Sequence, residues 1–533
     1  MKSLQPAKNP AAVWVQAASL TALKNKNPVV FRHCGKQVAL FQTGNGIHAC
    51  NNRCPHEGYP LAEGNLSNGC TLTCNWHNWK FDLMTGTNLY GGDQLRIYPV
   101  ETRGDEIWID VSDPPYEDHY KTVIENLKMA FEDHGYDRLA REIARLIRLG
   151  GDPLDGLRLA IQWSYQKMEF GWTHAYAGMA DWLVLFDQYH DDEEVKLVCL
   201  LESVAHTAFD VLREKDYPFT ERVRPFDATG FLRAIEEENE DSAVSMVRGG
   251  MRDGMKFDDF EPLLTRAALA HYNDFGHSLI YVTKLGTLAN RLGDAVLEPL
   301  LLSLVREMVY ATREEKIPEF RGYTHALDRW GTGNNMNPMA GNWRRKGVRS
   351  ALEEAVDCSR ADPAVIYEKL LLANAVNLLS FDISRQDKVQ VPVSDNVGWL
   401  NFTHGLTFSN AVRKQCTRFP ELWPQGLLQM ACFSGRNAAF TTTGYELDRW
   451  TSGDPERDIR NLTGRIVDHG QSEYIVSVHL LKTTLAVAEE AANLATGDAL
   501  LLTAALTRFL HSPLKRKQTL RTAYQSINFV RKD

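Results

Sequence analysis

No run of about 18 consecutive apolar residues occurs in this 533-residue chain, so no segment reads as a membrane-spanning helix. An excess of basic charge is missing too. The 59 Lys and Arg residues against 68 Asp and Glu leave a formal charge of -9, which provides no field for a phosphate backbone and argues against a nucleic-acid partner. The opening residues, MKSLQPAKNPAAVWVQ, lack the apolar core of a secretory signal, and a cytoplasmic location is expected. No Gly-x-Gly-x-x-Gly follows a strand pattern and opens a helix, so no dinucleotide-binding domain is expected. Cysteine is sparse and odd in number. Five of the nine are clustered (Cys34, Cys50, Cys54, Cys70, Cys74) and four scattered (Cys199, Cys358, Cys416, Cys432), which fits reduced thiols plus a metal site better than a disulfide framework.

What is present changes character near SDPPY, residues 112–116. Before it, short runs such as PVVFRH, QVALFQT, GIHAC, LRIYPVE and EIWIDV alternate with Gly, Asn and Asp turns, the pattern of small antiparallel strands. After it, apolar residues recur three and four apart, in segments such as THAYAGMADWLVLFDQ and LEPLLLSLVREMVYATREE. The expected fold is therefore α+β and multidomain: a small antiparallel-β domain over 1–112, then a large all-α domain over 117–533. Residues 315–362, with GTGNNMNPMAGNWRRKG inside, are poor in periodicity and read as a long ordered loop or a join between two helical halves.

Within the β-rich part, CPHEGYPLAEGNLSNGCTLTCNWH holds Cys54-x-His56 and Cys74-x-x-His77, two ligand pairs separated by 17 residues. Each loop can present one thiolate and one imidazole to opposite ends of a two-iron cluster, the two cysteines on one iron and the two histidines on the other. A structural Cys2His2 zinc site is the alternative, although zinc sites usually space paired ligands by two residues or more. With its flanks, GIHACNNRCPHEGYPL before and CNWHNWKFDLMTG…LRIYPVE after, the stretch resembles the Rieske domain over about a hundred residues. That resemblance implies a 2Fe–2S cluster on Cys54, His56, Cys74 and His77. One departure is Asn78, where the family usually has Gly; Asn tolerates positive φ better than any bulky residue, so the loop is expected to close. The Ser and Tyr donors of respiratory-type Rieske proteins are also missing, with Asn75, Trp76, Asn78 and Trp79 in that region. Their absence predicts a lower potential, of ferredoxin or oxygenase type. Cys50 and Cys70 are expected to be free thiols.

The helical part carries no Asp-x2-His-x4-His, the mononuclear iron motif of the ring-hydroxylating Rieske oxygenases. Its nearest substitute is HYNDFGH, where Asp274 is three residues from both His271 and His277, yet the two histidines lie about 120° apart on a straight helix. Four other segments, WTHAYAGMADWLVLF, YNDFGHSLIYVTKLGTLA, WLNFTHGLTFSNAVR and YIVSVHLLKTTLAVAEEA, resemble the His-bearing helices of questin oxidase-like proteins, known for oxidative ring opening of an anthraquinone in a Baeyer-Villiger sense. The resemblance spans roughly residues 165–510 and singles out His174, His277, His404 and His479 as catalytic. A lone histidine on an apolar helix is ordinarily a hydrogen-bonded core residue; four in comparable positions can converge on one cavity and hold iron or act as bases. Glu202 and His206, four apart on one helix face, are the candidate carboxylate and imidazole to join His277 in a second metal site. Tyr272, Tyr281 and Trp330 are candidate cavity walls. HDDEE (190–194) reads as an exposed helix start, EEENED (236–241) as a solvated run, and NWRRKG and SPLKRKQ as short basic patches.

Two functions from different classes follow. In one, the chain is a Rieske-dependent oxygenase: a 2Fe–2S cluster, fed by a separate NAD(P)H-dependent reductase or ferredoxin, supplies a helical domain that uses O2, with or without a second non-haem iron, to oxidise a small aromatic or polycyclic molecule. In the other, it is an electron-transfer or sensor protein whose helical domain only docks a partner.

Overall fold

The structure, a computed structural model, describes residues 12–67, 69–271, 276–313 and 316–531. It divides into two compact units, Met1–Asp155 and Gly156–Asp533. The composition change at 112–116 marks the switch from strand to helix, while the division between units falls later.

Three antiparallel sheets build the first unit. The central strand of one is Lys36–Thr43, paired with Val29–His33 on one side and Gly46–Asn51 on the other. Successive side chains of a strand point to opposite faces, and here both faces are buried, which is why VALF is a continuous apolar run. Val38 and Leu40 enter a core with Leu23, Ile107 and Ile109. Ala39 and Phe41 enter another, with Leu72, Phe81 and the thiol-bearing Cys54 and Cys74. Full burial of a side chain such as Phe41 contributes about 2–3 kcal/mol. A second sheet, Asn65–Ser67, Thr71–Thr73, Lys80–Asp82 and Asn88–Tyr90, presents the loop that carries Cys74 and His77. The third joins Trp14–Ser19, Glu106–Asp110 and Val100–Arg103.

Pro114 and Pro115 then end strand pairing, and a helical hairpin follows, Tyr116–Glu132 and Tyr136–Arg148. It belongs to the first unit because Asp93, fully buried, accepts from Arg138 Nε at 2.8 Å, with Arg141 Nη2 at 3.7 Å and Arg145 Nη1 at 4.0 Å. Those arginines sit at i, i+3 and i+7, one helix face. A buried carboxylate left unpaired is costly, so the three guanidinium groups tie the hairpin to the β-rich part.

In the second unit, four helices close a ring: His174–Gln188 packs on His277–Leu292 and on Tyr474–Ala491, and Trp399–Arg418 packs on the same two. These helices are buried almost all round, as helices apolar on every face must be. Lys284 donates to Asp181 between the first two helices. Between the other two, Asn410 Nδ2 and Arg413 Nε donate to Glu490 at 2.7 and 2.9 Å. Each pairing sets the register of its helices.

Three expectations need correction. Residues 315–362 contain the helices Tyr323–Asp328 and Val348–Asp357, with Phe320 and Trp343 buried, so the segment is packed structure despite its weak periodicity. One helix does not run through HYNDFGH. The chain leaves a helix at Ala268 and starts another at His277, capped by Gly276, which has φ 78° and passes so close to the Phe408 ring that a Cβ there would lie 2.3 Å from it. His271 instead meets Ala311 O at 3.1 Å and Glu236 Oε1 at 3.3 Å; Tyr272 and Asp274 lie outside the described residues. EEENED is not merely solvated, since Glu236 pairs with His271 and Arg313, and Glu240 accepts from buried Arg306 at 2.7 Å. The basic patches are engaged: Arg344 donates to Thr443 O, Lys346 pairs with Glu354, and Lys515 pairs with Asp387. HDDEE is an exposed helix start as expected, with Asp192 capping Glu193–Asp210. No helix among the described residues is long and apolar enough to cross a membrane.

Candidate metal centres

The first centre is one backbone turn made twice. Gly58 N donates to Cys54 O at 2.8 Å, and Cys54 N to Tyr59 O at 2.8 Å. Asn78 N donates to Cys74 O at 3.0 Å, and Cys74 N to Trp79 O at 2.8 Å. Each turn closes on a left-handed residue four after its cysteine, Gly58 with φ 78° and Asn78 with φ 65°, so Asn78 does adopt the glycine-favouring conformation. The turns bury the Cys54 and Cys74 sulfurs and leave the His56 ring half-buried and the His77 ring exposed, 4.5 Å apart between centroids. Trp79 stacks on His56 at 4.6 Å.

This donor set fits a two-iron cluster. Burial, with Cys74 alongside, pushes the Cys54 thiol up to about 12, and a cation at the site would favour its thiolate. His56 Nδ1 is buried and, among the described residues, has no hydrogen-bond partner. A metal would satisfy it. Cys50 and Cys70 are free thiols; Cys70 Sγ lies 3.4 Å from Asn45 Nδ2 and 3.6 Å from His48 Nε2.

The second centre brings together the four histidines that the sequence singled out. His277 Nε2 lies 3.1 Å from His174 Nε2 and 2.8 Å from His404 Nε2, and His404 Nε2 lies 3.3 Å from His479 Nε2. His174 and His277 each open a helix, whereas His404 and His479 stand in the second turns of theirs. There the Nδ1 of His404 lies 2.6 Å from Leu400 O and that of His479 2.5 Å from Ile475 O, four residues back in each case. A carbonyl can only accept, so Nδ1 carries the proton and the Nε2 lone pair faces inward, the tautomer that a metal ligand requires. Burial, then Lys482, holds the imidazoles of His174, His404 and His479 well below the usual histidine range. Tyr281 stacks on His277 at 5.5 Å and is the expected cavity residue that does adjoin the centre.

Glu202 and His206 lie outside the contacting group of histidines, although His206 is near enough to His174 to help hold its imidazole low. His469 Nε2 approaches Glu202 Oε2 at 3.2 Å, and His206 stacks on Tyr474 at 5.1 Å with Nε2 3.6 Å from Asp210 Oδ1. Asp210 in turn accepts from Thr173 Oγ1 at 2.6 Å, just before His174. Among the described residues two groups could hold a metal ion: His56, Glu57 and His77 at the first centre, and His174, His277 and His404 at the second, where no carboxylate joins them. Trp330 is half-buried beyond the helix Tyr323–Asp328.

Sequence reasoning missed Lys482. Its Nζ lies 3.2 Å from His404 Nε2, and burial, partly opposed by Asp181, lowers its ammonium to about 7. The available signal was a single lysine inside YIVSVHLLKTTLAVA, three residues after His479 on an otherwise apolar helix.

A family model described as the Rieske [2Fe-2S] domain matches residues 13–96. A 4beta-methylsterol monooxygenase of Methylococcus capsulatus is 33% identical over 108 residues, 18% of this chain and 29% of that protein, so the chain spans less than a third of its length. A 3-phenylpropionate/cinnamic acid dioxygenase ferredoxin subunit of Escherichia coli is 38% identical over 76 residues, 14% of this chain and 72% of the subunit. Among solved structures, the ferredoxin of carbazole 1,9a-dioxygenase from Nocardioides aromaticivorans is 28% identical and covers 19% of this chain and all of that one, with a TM-score of 0.18.

Proposed function

Because residues 13–96 make this chain a member of the Rieske [2Fe-2S] family, we propose that it is a Rieske-dependent oxidoreductase of the oxygenase type, with a second, non-haem iron held by His174, His277, His404 and His479. A separate ferredoxin or NAD(P)H-dependent reductase supplies the electrons, and O2 is the co-substrate. The substrate is a small aromatic or polycyclic molecule, in keeping with the resemblance of the helical segments to questin oxidase-like proteins. One-electron transfer and dioxygen activation are the chemistry that the two iron sites supply when loaded.

The observation that carries this reading is the convergence of four imidazole Nε2 atoms from four helices, two of them with Nδ1 fixed on a backbone carbonyl. Core histidines satisfy both ring nitrogens from their surroundings; these turn one nitrogen each toward the others. Nitrogen donors of this kind suit iron and other late first-row metals. The protein's part is to hold the rings, to exclude water with Tyr281 and the apolar helix faces, and to set Lys482 against His404.

Iron per chain on anaerobically purified protein, with EPR of the dithionite-reduced sample, tests the reading. About three irons with a Rieske signal, the third lost in His277→Ala, supports it; about two irons with the same signal supports an electron carrier or sensor instead.

A further inference from the structure

Thr407, three residues after His404, and Thr483, four after His479, are 5% and 0% exposed, and among the described residues neither hydroxyl meets a hydrogen-bond partner. A buried hydroxyl without a partner is destabilising and uncommon enough to need a cause. In a helix the ready remedy is the carbonyl three or four residues back. The other buried hydroxyls described on these two helices use it: Thr403 donates to Leu400 O at 2.9 Å, Ser409 to Gly405 O at 2.5 Å, Ser477 to Tyr474 O at 3.2 Å and Thr484 to Leu480 O at 2.8 Å. Thr407 and Thr483 forgo it.

Their placement says what they face. On one helix Thr407 lies midway between His404, which meets His479 at 3.3 Å, and Asn410, which donates to Glu490 at 2.7 Å. At roughly 100° per residue it falls about 60° from each around the axis. On the facing helix Thr483 comes four residues after His479 and lies within about 40° of both His479 and Glu490. Both hydroxyls therefore lie on mutually facing stripes, between the histidine contact and the Glu490 network. Lys482 reaches the same face, with Nζ 3.2 Å from His404 Nε2.

We propose that Thr407 and Thr483 form a hydrogen-bonding subsite of the histidine centre, where their hydroxyls donate to a diatomic or triatomic ligand with an oxygen or nitrogen terminus. Dioxygen, water and azide have the size and acceptor atoms for it. A hydroxyl rotor can turn to the acceptor that arrives, which a fixed amide cannot. The inference rests on reading the histidine centre as a metal site.

The test uses full-length protein with its cluster intact, the second centre stripped and reloaded with Co(II), and azide as the probe in a visible-absorption titration. His277→Ala, expected to lose the Co(II) band, is the control. The double variant Thr407→Val, Thr483→Val should bind Co(II) with parental stoichiometry and keep the parental Tm, because valine is nearly isosteric and no protein bond is lost. Its azide Kd should rise about tenfold, as expected for two lost hydrogen bonds of ordinary strength. Thr407→Ser, Thr483→Ser should restore the parental Kd. An azide Kd unchanged in the valine variant overturns the subsite, and so does a fall of several degrees in Tm, which would reveal a protein partner for the hydroxyls. Failure of the parent protein to take up Co(II) is a different result: it removes the metal reading and the subsite with it.

Discussion

His404 Nε2 lies 2.8 Å from His277 Nε2, while His404 Nδ1 is committed to Leu400 O. In the metal-free protein the proton between the two Nε2 atoms must therefore belong to His277. His479, whose Nδ1 is also committed, turns a second lone pair toward His404 at 3.3 Å. Two lone pairs in contact repel unless something positive lies between them. Lys482 partly relieves this by approaching His404, and a metal ion would do so more completely.

His277 touches both His174 and His404, so His277→Ala should remove the shared ligand while leaving the first unit untouched. The cluster EPR signal should persist with about two irons retained, and any substrate oxidation should fall at least a hundredfold. An unchanged rate would dismiss the role given to His277.

Cys54→Ser replaces a buried thiol by a hydroxyl that cannot become an equivalent soft anion. The reduced Rieske signal should disappear with about two irons lost per chain. The helical unit should still bind Co(II), and retained turnover with a physiological electron donor would show that the cluster is dispensable.

Asn78 sits at φ 65°, where branched side chains are strained. Asn78→Val should cost about 1–2 kcal/mol and shorten the life of the cluster on heating, whereas Asn78→Gly should stay within a few tenths of a kcal/mol of the parent. Cluster bleaching followed by absorbance measures both; equal lifetimes for Val and Gly would refute the account.

Glu142 is fully buried beside Arg145, and burial raises its carboxyl to about 7 from an ordinary 4.5. The folded state thus holds this proton more tightly than the unfolded state. The resulting stability is complete below pH 4.5 and is lost as pH rises through 7, by at most about 3 kcal/mol. In Glu142→Gln that pH dependence should flatten between pH 4.5 and 7. Urea midpoints read from the cluster absorbance of the full chain would show it, and an unaltered slope would count against the assignment.

Local signals were legible in the sequence, and assembled ones were not. Strand runs such as QVALFQT and the Cys-x-His and Cys-x-x-His loops carry their meaning within a few residues, so the β-rich unit and its ligands could be read directly. His174, His277, His404 and His479 were found through a resemblance, because nothing within one helix tells which way its imidazole faces. Glu202 and His206 show the limit. Their i,i+4 spacing does put them on one face, but that face meets His469 and Tyr474, which the spacing could not reveal. HYNDFGH failed for a different reason: the helix before it has already ended at Ala268, and the next opens only at His277, behind Gly276 at positive φ. Lys482 was passed over because a lone lysine on an apolar helix looks like an exposed side chain whose stem is covered.

The closed ring of helices also dictates an order of manufacture. Its ligands lie at positions 174, 277, 404 and 479, so the ring cannot close until the helix ending at Ala491 has left the ribosome. The β-rich unit is complete by residue 155 and has its four ligands in hand when most of the chain is still unmade. Cluster insertion can thus begin during translation, whereas the four histidines can meet only once the last of their helices has emerged. An iron held by those histidines would therefore be acquired later than the cluster.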